Sequence, residues 1–224
     1  MPAASAFEVN PLVHVLRPYA GDNDTSLTVR NTTGQELRVE VRVFELVLDD
    51  RGPGRGAPAD ERLFVLPPAA VVPPGATQVV RMRWLDPDPL DRDASFVVAI
   101  EQVPGAMDTP TPDIGVQMLL TFNTVVHVRA QGVAPALRIE QVVTREDGGL
   151  RFTLVNDGRG NAYGERMRFT LIDGARRVPV PVEDLLAGDV HLFLSPGARQ
   201  SIDLVGQPGN REASLDVDVD YDAR

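Results

Sequence analysis

The side chains that could do chemistry in this chain are few and lie apart from one another. The 224 residues include three histidines and no cysteine, which excludes thiolate nucleophiles, thiolate metal sites and disulfides. His14, His127 and His191 have no neighbour at metal-ligand spacing, so we expect surface or edge positions for them. No nucleophile has a plausible base beside it in a recognisable motif. The sequence therefore predicts no catalytic residue, no metal site and no cofactor.

Two groups of aspartates are the remaining candidates for metal binding. A row of carboxylates on one strand face is usually solvated and deters edge pairing, whereas calcium sites use loops. We therefore favour a solvated face for the last stretch of the chain and give a metal little weight at either group. The two groups are Asp216, Asp218, Asp220 and Asp222, and Asp86, Asp88, Asp91 and Asp93.

Charge and composition exclude other classes of partner. The formal net charge of −10 argues against nucleic acid or an anionic membrane as the main partner. No run of about 18 apolar residues is present, which predicts no membrane insertion. The glycines of residues 52–56 lack the Lys-Ser/Thr ending of a phosphate loop and predict a flexible turn. All 22 basic residues are arginine, and a guanidinium favours bidentate contacts with carboxylates.

The stretch Ile114–Val128 alternates for fifteen residues without proline or charge. A strand of this length would extend about 50 Å, whereas ordinary strands have about 5–6 residues. A long apolar strand invites pairing with another chain unless the fold covers it. The pattern therefore predicts a strand that is either covered by the fold or donated to the sheet of a partner, and we favour donation.

Period-two patterns dominate the rest of the chain, and no segment has sustained helical periodicity. Strands separated by Gly/Pro-rich turns predict two β-sandwiches. Gln131–Pro135 is the best linker, so we place one domain at residues 7–130 and the other at 131–224. The halves also echo each other: each has a strand ending in Asn31 or Asn156 and, later, a Pro-Gly turn before another strand.

Several motifs, in order, resemble those of the periplasmic pilus (fimbrial) chaperones of chaperone–usher systems, and the archaic-type branch looks closest. The resemblance covers nearly the whole chain. The motifs are Phe7-Glu-Val-Asn-Pro11, Val29-Arg-Asn31, Val41-Arg-Val-Phe44, Leu66-Pro-Pro68, Pro74-Gly75-x-x-Gln78-x-Val80-Arg81, Glu101-x-x-Pro104, Leu154-Val-Asn156-x-Gly158-x-x-Asn-Ala162 and the Pro-Gly197 turn.

The resemblance implies an all-β fold of two immunoglobulin-like domains in an L-shaped or boomerang arrangement. It also implies that the last strand of the first domain completes the sheet of a pilin subunit, a recognised mode of strand addition. Val116, Met118, Leu120 and Phe122 would then enter the subunit's groove. The open alternative is that these side chains face the domain's own core.

In the family a basic pair grips the C-terminal carboxylate of the subunit. This sequence lacks the lysine expected late in the long strand, so the candidate anchors are Arg17, Arg83 and Arg81. Arg81 aligns better with a family arginine that joins the two domains, and Asp93 is its expected partner.

The resemblance implies a non-enzymatic chaperone in the periplasm, with pilin-like subunits and an outer-membrane usher as partners. Met1–Ala6 fits the stub of a trimmed export signal. Self-association through the long strand is a further expectation. The alternatives are a structural or adhesive surface module with two immunoglobulin-like domains and, less favoured, a carbohydrate-binding domain.

Overall fold

The computed structural model describes residues 7–49, 52–104, 119–145, 149–181, 192–204 and 215–222. The described residues are almost all strand, with two short 3-10 turns at Pro18–Ala20 and Gly164–Arg166. No helix among them is long and apolar enough to cross a membrane. The chain forms two compact units. The first comprises Met1–Val47, Arg55–Pro89 and Ser95–Arg129, and the second comprises Leu48–Gly54, Leu90–Ala94 and Ala130–Arg224.

The strands of the first unit form two sheets, one with the order β1-β3-β8-β6 and the other with the order β2-β10-β9-β4-β5, in which β7 also pairs with β4. The strands are β1 (Glu8–Asn10), β2 (Val13–Leu16), β3 (Asp24–Arg30), β4 (Leu37–Asp49), β5 (Gly52–Pro58), β6 (Leu63–Leu66), β7 (Ala69–Val72), β8 (Thr77–Trp84), β9 (Ala94–Gln102) and β10 (Thr121–Val128).

Alternation in the sequence places the core of the first unit. Along β8, Val80, Met82 and Trp84 are buried while Arg81 and Arg83 are exposed, as expected for a strand with one solvated face. The apolar run in β9 is buried on both faces, as its composition predicts, and β9 lies between β10 and β4 in its sheet. These central strands hold β10 in place.

One predicted turn proves to be a strand. The Gly/Pro-rich segment around residues 52–56 was expected to be flexible, but Gly52–Pro58 forms β5 beside β4. A Cβ atom on Gly56 would lie 2.7 Å from Cγ1 of Val47 and 3.2 Å from the carbonyl oxygen of Glu45. Glycine is therefore present because β5 approaches β4 closely, and not because the segment turns.

The second unit has three small sheets, ordered β11-β12-β17, β13-β16 and β15-β14-β18. Its core includes the rings of Phe152 and Phe169, whose centroids are 6.0 Å apart. The strands are β11 (Leu137–Thr144), β12 (Leu150–Asn156), β13 (Ala162–Tyr163), β14 (Met167–Asp173), β15 (Arg176–Val180), β16 (Phe193–Leu194), β17 (Arg199–Leu204) and β18 (Leu215–Tyr221).

The internal echo of the sequence corresponds to a repeated piece of structure. In the first unit the backbone amide of Gly75 donates to the carbonyl of Asn31, and in the second that of Gly197 donates to Asn156, at 3.0 and 2.8 Å. Each asparagine also donates its own amide to the carbonyl of the residue after that glycine. Both asparagines are fully buried. The two units therefore share one way of closing a turn onto a strand.

The predicted linker is held against the second unit. The carbonyl of Ala134 accepts hydrogen bonds from the amides of Arg159 and Gly160, and the amide of Ala136 donates to Oδ1 of Asn156. A Cβ atom on Gly158 would lie 2.3 Å from the nitrogen of Ala136. The glycine in the Asn156-x-Gly158 motif is therefore required by the passage of the linker.

Candidate strand-donation site

Strand β10 has different surroundings at its two ends. Toward its C-terminal end it pairs in parallel with β2, from Val125 opposite Val13 to Val128 opposite Leu16. The other neighbour of β10 in the sheet is β9. Among the described residues no strand pairs with the β2-facing edge of β10 before Val125. Residues 121–124 thus present backbone donors and acceptors along an open edge.

The burial of the side chains on the inner face of β10 changes along the strand. Thr124, Val126 and Val128 are fully buried in the core of the first unit. Phe122 and Leu120, on the same face by alternation, are only half-buried. From Thr124 onward this face therefore belongs to the core of the first unit.

Phe122 and Leu120 are each restrained by the first unit. The Phe122 ring meets the buried ring of Phe7 edge-on, with centroids 4.8 Å apart. Leu120 accepts a hydrogen bond at its carbonyl from the amide of Gln102 at 3.0 Å. The two side chains are therefore held at the rim of the core without being enclosed by it.

The structure does not describe the whole predicted strand. Val116 and Met118 lie outside the described residues. Of the predicted fifteen-residue strand, Thr121–Val128 is observed as β10, while Leu119 and Leu120 are described outside any strand. The role of all four predicted donor side chains stays a prediction.

Arg17 immediately follows β2. Its amide donates to the carbonyl of Asp22 at 2.9 Å, and Nη1 lies 3.7 Å from Oδ2 of the same aspartate. The amide of Arg129, which follows β10, donates to the carbonyl of Leu16. The parallel register thereby carries two arginines to the same end of the β2–β10 pair. Arg129 was not among the predicted anchors, although its place directly after an alternating run is a usable signal.

Arg83 and Arg81 lie on the exposed face of the other sheet. Arg83 forms a two-point contact with Asp24, with Nε–Oδ1 at 2.8 Å and Nη2–Oδ2 at 3.1 Å. Arg81 stands opposite Ser26 in β3, and its side chain is exposed. The guanidinium of Arg83 is therefore already occupied, whereas that of Arg81 is accessible.

Asp93, the predicted partner of Arg81, is buried within the second unit. Its two carboxylate oxygens accept hydrogen bonds from the amides of Ala130 and Asn161, both at 2.8 Å. This carboxylate fastens the start of the second half of the chain to the loop after β12. An ion pair between Arg81 and Asp93 stays a prediction.

The two described histidines are buried and do not lie at the surface, although His14 is on β2, an edge strand of its sheet. His14 and His127 are each only 5% exposed, and His191 lies outside the described residues. Nδ1 of His14 lies 2.9 Å from Oγ1 of Thr25, and Nδ1 of His127 lies 2.9 Å from Oγ of Ser95. Each ring therefore has a hydroxyl partner in the core, while Nε2 of His14 is buried without a hydrogen-bond partner among the described residues. Alternation alone reveals neither feature.

The Ser95–His127 pair resembles a nucleophile with its base, but its surroundings do not suit that role. Burial lowers the pKa of His127 to about 4, and the charge of Arg129 lowers it further. Both side chains are enclosed in the core. Among the described residues no group of three metal-ligating side chains could hold an ion. The arrangement stabilises the interior of the first unit.

Comparison with known proteins gives the family. A profile described as "Pili and flagellar-assembly chaperone, PapD N-terminal domain" matches residues 15–132, more than half of the chain. No curated protein matches the sequence.

Several solved structures are similar over nearly the whole chain. One is the CsuC–CsuE chaperone–tip adhesin complex from archaic Csu pili of Acinetobacter baumannii, with a TM-score of 0.61, 13% identity and coverage of 95% of this chain and 98% of the other. Another is the class 5 fimbriae chaperone CfaA, with a TM-score of 0.60, 11% identity and coverage of 95% of this chain and 98% of the other. A third is the SafA pilin–SafB chaperone complex of Salmonella enterica, with a TM-score of 0.58, 15% identity and coverage of 92% of this chain and 87% of the other.

At these identities the solved structures show the fold, which is the two-domain immunoglobulin-like architecture that the motifs implied. The family profile carries the assignment further than fold. The chain belongs to the family of pili and flagellar-assembly chaperones, which are not enzymes.

Proposed function

We propose that the protein is a periplasmic chaperone that captures pilin-like subunits by lending them the first part of β10 and its preceding residues, and then delivers them to an outer-membrane usher. Membership of the family supports the general role. Solved complexes of similar fold pair a chaperone with a pilin or a tip adhesin, which supports subunits of this kind as the partner.

The observation that carries the proposal is the open edge of β10. Pairing with β2 begins only at Val125, so the preceding backbone can hydrogen-bond to a strand of another protein. The half-buried Leu120 and Phe122 stand on the apolar face of that same segment. An edge with unpaired backbone groups and apolar side chains is what strand addition requires.

The energetics are sufficient without a cofactor. Burying four apolar side chains, the two described and the two predicted before them, contributes about 6–12 kcal/mol at about 1.5–3 kcal/mol each. Association and ordering offset part of this gain. The free energy that remains would hold the subunit in the complex until another strand replaces the donor.

A test of the proposal uses the two leucines that precede β10. The protein is co-expressed with a pilin-like subunit, and the one-to-one complex is purified. We expect Leu120→Asp to abolish the complex, because the charge would have to enter the apolar groove. Leu119→Asp is the matched control. Leu119 is 45% exposed, and by alternation its side chain lies on the face opposite to that of Leu120. This variant should therefore retain the complex.

Circular dichroism and thermal unfolding of the free variants show whether both remain folded. Loss of the complex in Leu120→Asp, with an unchanged melting temperature, supports donation. Unfolding of Leu120→Asp would show that the side chain belongs to the core. Equal complex formation by both variants and the unaltered protein would refute the proposal.

A further inference from the structure

A cluster of side chains on the outer face of the first unit reaches β10 one residue beyond Phe122. Nε and Nη2 of Arg55 both donate to Oδ1 of Asn123, at 3.2 and 2.7 Å, and Nη1 pairs with Glu101. The guanidinium carbon also lies 5.2 Å from the centroid of the Phe44 ring. One side chain of β5 therefore ties together β4, β9 and β10.

The ion pair of this cluster is less exposed than the Arg30–Glu8 pair of the same unit. The side chains of Arg55 and Glu101 are 29% and 26% exposed, whereas those of Arg30 and Glu8 are 60% and 62% exposed and 3.8 Å apart. Partial burial weakens solvent screening, and the planar guanidinium fixes several hydrogen bonds at once. Stacking on an aromatic ring further limits its motion.

The cluster acts where β10 lacks a second strand. Over residues 121–124 the backbone is bordered by β9 on one side, and the described part of β2 pairs only from Val125. Asn123 lies on the exposed face of that segment, whereas its neighbours Phe122 and Thr124 lie on the opposite face. Because strand side chains alternate, fixing Asn123 outward also fixes its neighbours inward.

We propose that Arg55 is a positioning residue for strand donation. By holding Asn123, it keeps the lent segment extended and Leu120 and Phe122 directed toward the subunit. This inference rests on the proposed function. A donor already in its bound conformation loses less conformational entropy on binding, so the cluster promotes capture of a subunit.

The first measurement compares subunit capture by two arginine variants. A purified pilin-like subunit is diluted from denaturant into the chaperone, and complex formation is followed in time. We expect Arg55→Gln to slow capture about tenfold, the factor that corresponds to losing one charge-assisted contact. Arg62→Gln is the control, because Arg62 stacks on Trp84 at 5.3 Å and pairs with Glu45 without touching β10.

The second measurement needs no subunit. Hydrogen exchange of the free chaperone should be faster for residues 119–124 in Arg55→Gln and unchanged for residues 126–128, with neither change in Arg62→Gln. Unaltered exchange and capture in Arg55→Gln would overturn the inference, as would an equal loss of capture in Arg62→Gln. Failure of the unaltered protein to capture any subunit would instead refute the proposed function.

Discussion

At the scale of single residues, the proposed anchor for a subunit's C-terminal carboxylate has to be an arginine, because the sequence contains no lysine. A guanidinium that is free to form a two-point contact serves this purpose best. Arg83 already makes such a contact with Asp24, whereas Arg17 touches Asp22 through one atom pair at 3.7 Å. Arg17 is also the residue that the β2–β10 register brings beside Arg129. These contacts favour Arg17 as the anchor for the subunit's C-terminus.

We therefore expect Arg17→Ala to weaken the chaperone–subunit complex about tenfold, since hydrogen bonds to charged groups contribute about 1.5–3 kcal/mol. The exposed position of Arg17 favours the lower end of that range. Titration calorimetry or surface plasmon resonance with a purified subunit measures the change in Kd.

Arg83→Ala provides the comparison for this prediction. Because Arg83 is engaged by Asp24, we expect its loss to change Kd by less than the loss of Arg17. Unchanged affinity in Arg17→Ala together with a large loss in Arg83→Ala would move the anchor to the other sheet. A subunit amidated at its C-terminus should bind both variants and the unaltered protein with equal affinity.

At the scale of elements, alternation predicted most strands because each has one buried and one solvated face. β6 and β8 show this alternation of buried and exposed side chains along their whole or nearly whole length. β5 was missed because glycine and proline also favour turns, and because the reason for Gly56 lies in β4. Contacts between distant strands, such as Arg55 with Asn123, leave no local pattern. The candidate donor face was predictable, but the side chains that hold it were not.

The same reasoning applies to the linker, where a glycine makes room for backbone. In Gly158→Ala the new Cβ would lie 2.3–2.6 Å from backbone atoms of residues 134–136. Backbone cannot yield as a flexible side chain can, so we expect at least the 1–3 kcal/mol destabilisation typical of overpacking. Urea unfolding with probes in each unit should show the loss in the second unit.

Gly34→Ala is the matched control for this substitution. A Cβ on Gly34 meets nothing within 4 Å, and its φ is not in the left-handed region. We expect this variant to be neutral or slightly more stable than the unaltered protein, because alanine restricts the unfolded chain. A Gly158→Ala protein as stable as Gly34→Ala would show that the linker can shift away from the loop.

At the scale of the whole molecule, the two units combine a shared turn design with different polar interiors. The second unit carries ion pairs on its surface, where Asp203 contacts Arg151 and Arg145 and has its pKa lowered to about 2. The first unit also has surface ion pairs, and in addition it buries His14 and His127. Burial lowers the pKa of both rings, that of His127 from 6.5 to about 4. The units should therefore respond to acid over different pH ranges.

The sign of the response in the first unit follows from the lowered pKa values. Above about pH 6.5 both the folded and the unfolded chain hold these rings neutral, so their contribution to stability is fully present. Between about pH 6.5 and pH 4 the unfolded chain binds protons that the folded unit resists, and stability falls as the pH falls. For His127 the total loss is at most about 3.5 kcal/mol, at about 1.4 kcal/mol per unit of pKa.

Urea unfolding of the first unit, measured between pH 7.5 and 4, tests this expectation. His127→Asn removes one titrating group. The slope of unfolding free energy against pH should therefore decrease by an amount that corresponds to at most one bound proton. The slope is informative even if the variant is less stable at pH 7.5, because a loss of packing shifts the curve without changing its slope. An unchanged slope in both His127→Asn and His14→Asn would show that the buried rings do not govern acid sensitivity. Carboxylates such as Asp203 would still destabilise the second unit, but only at lower pH.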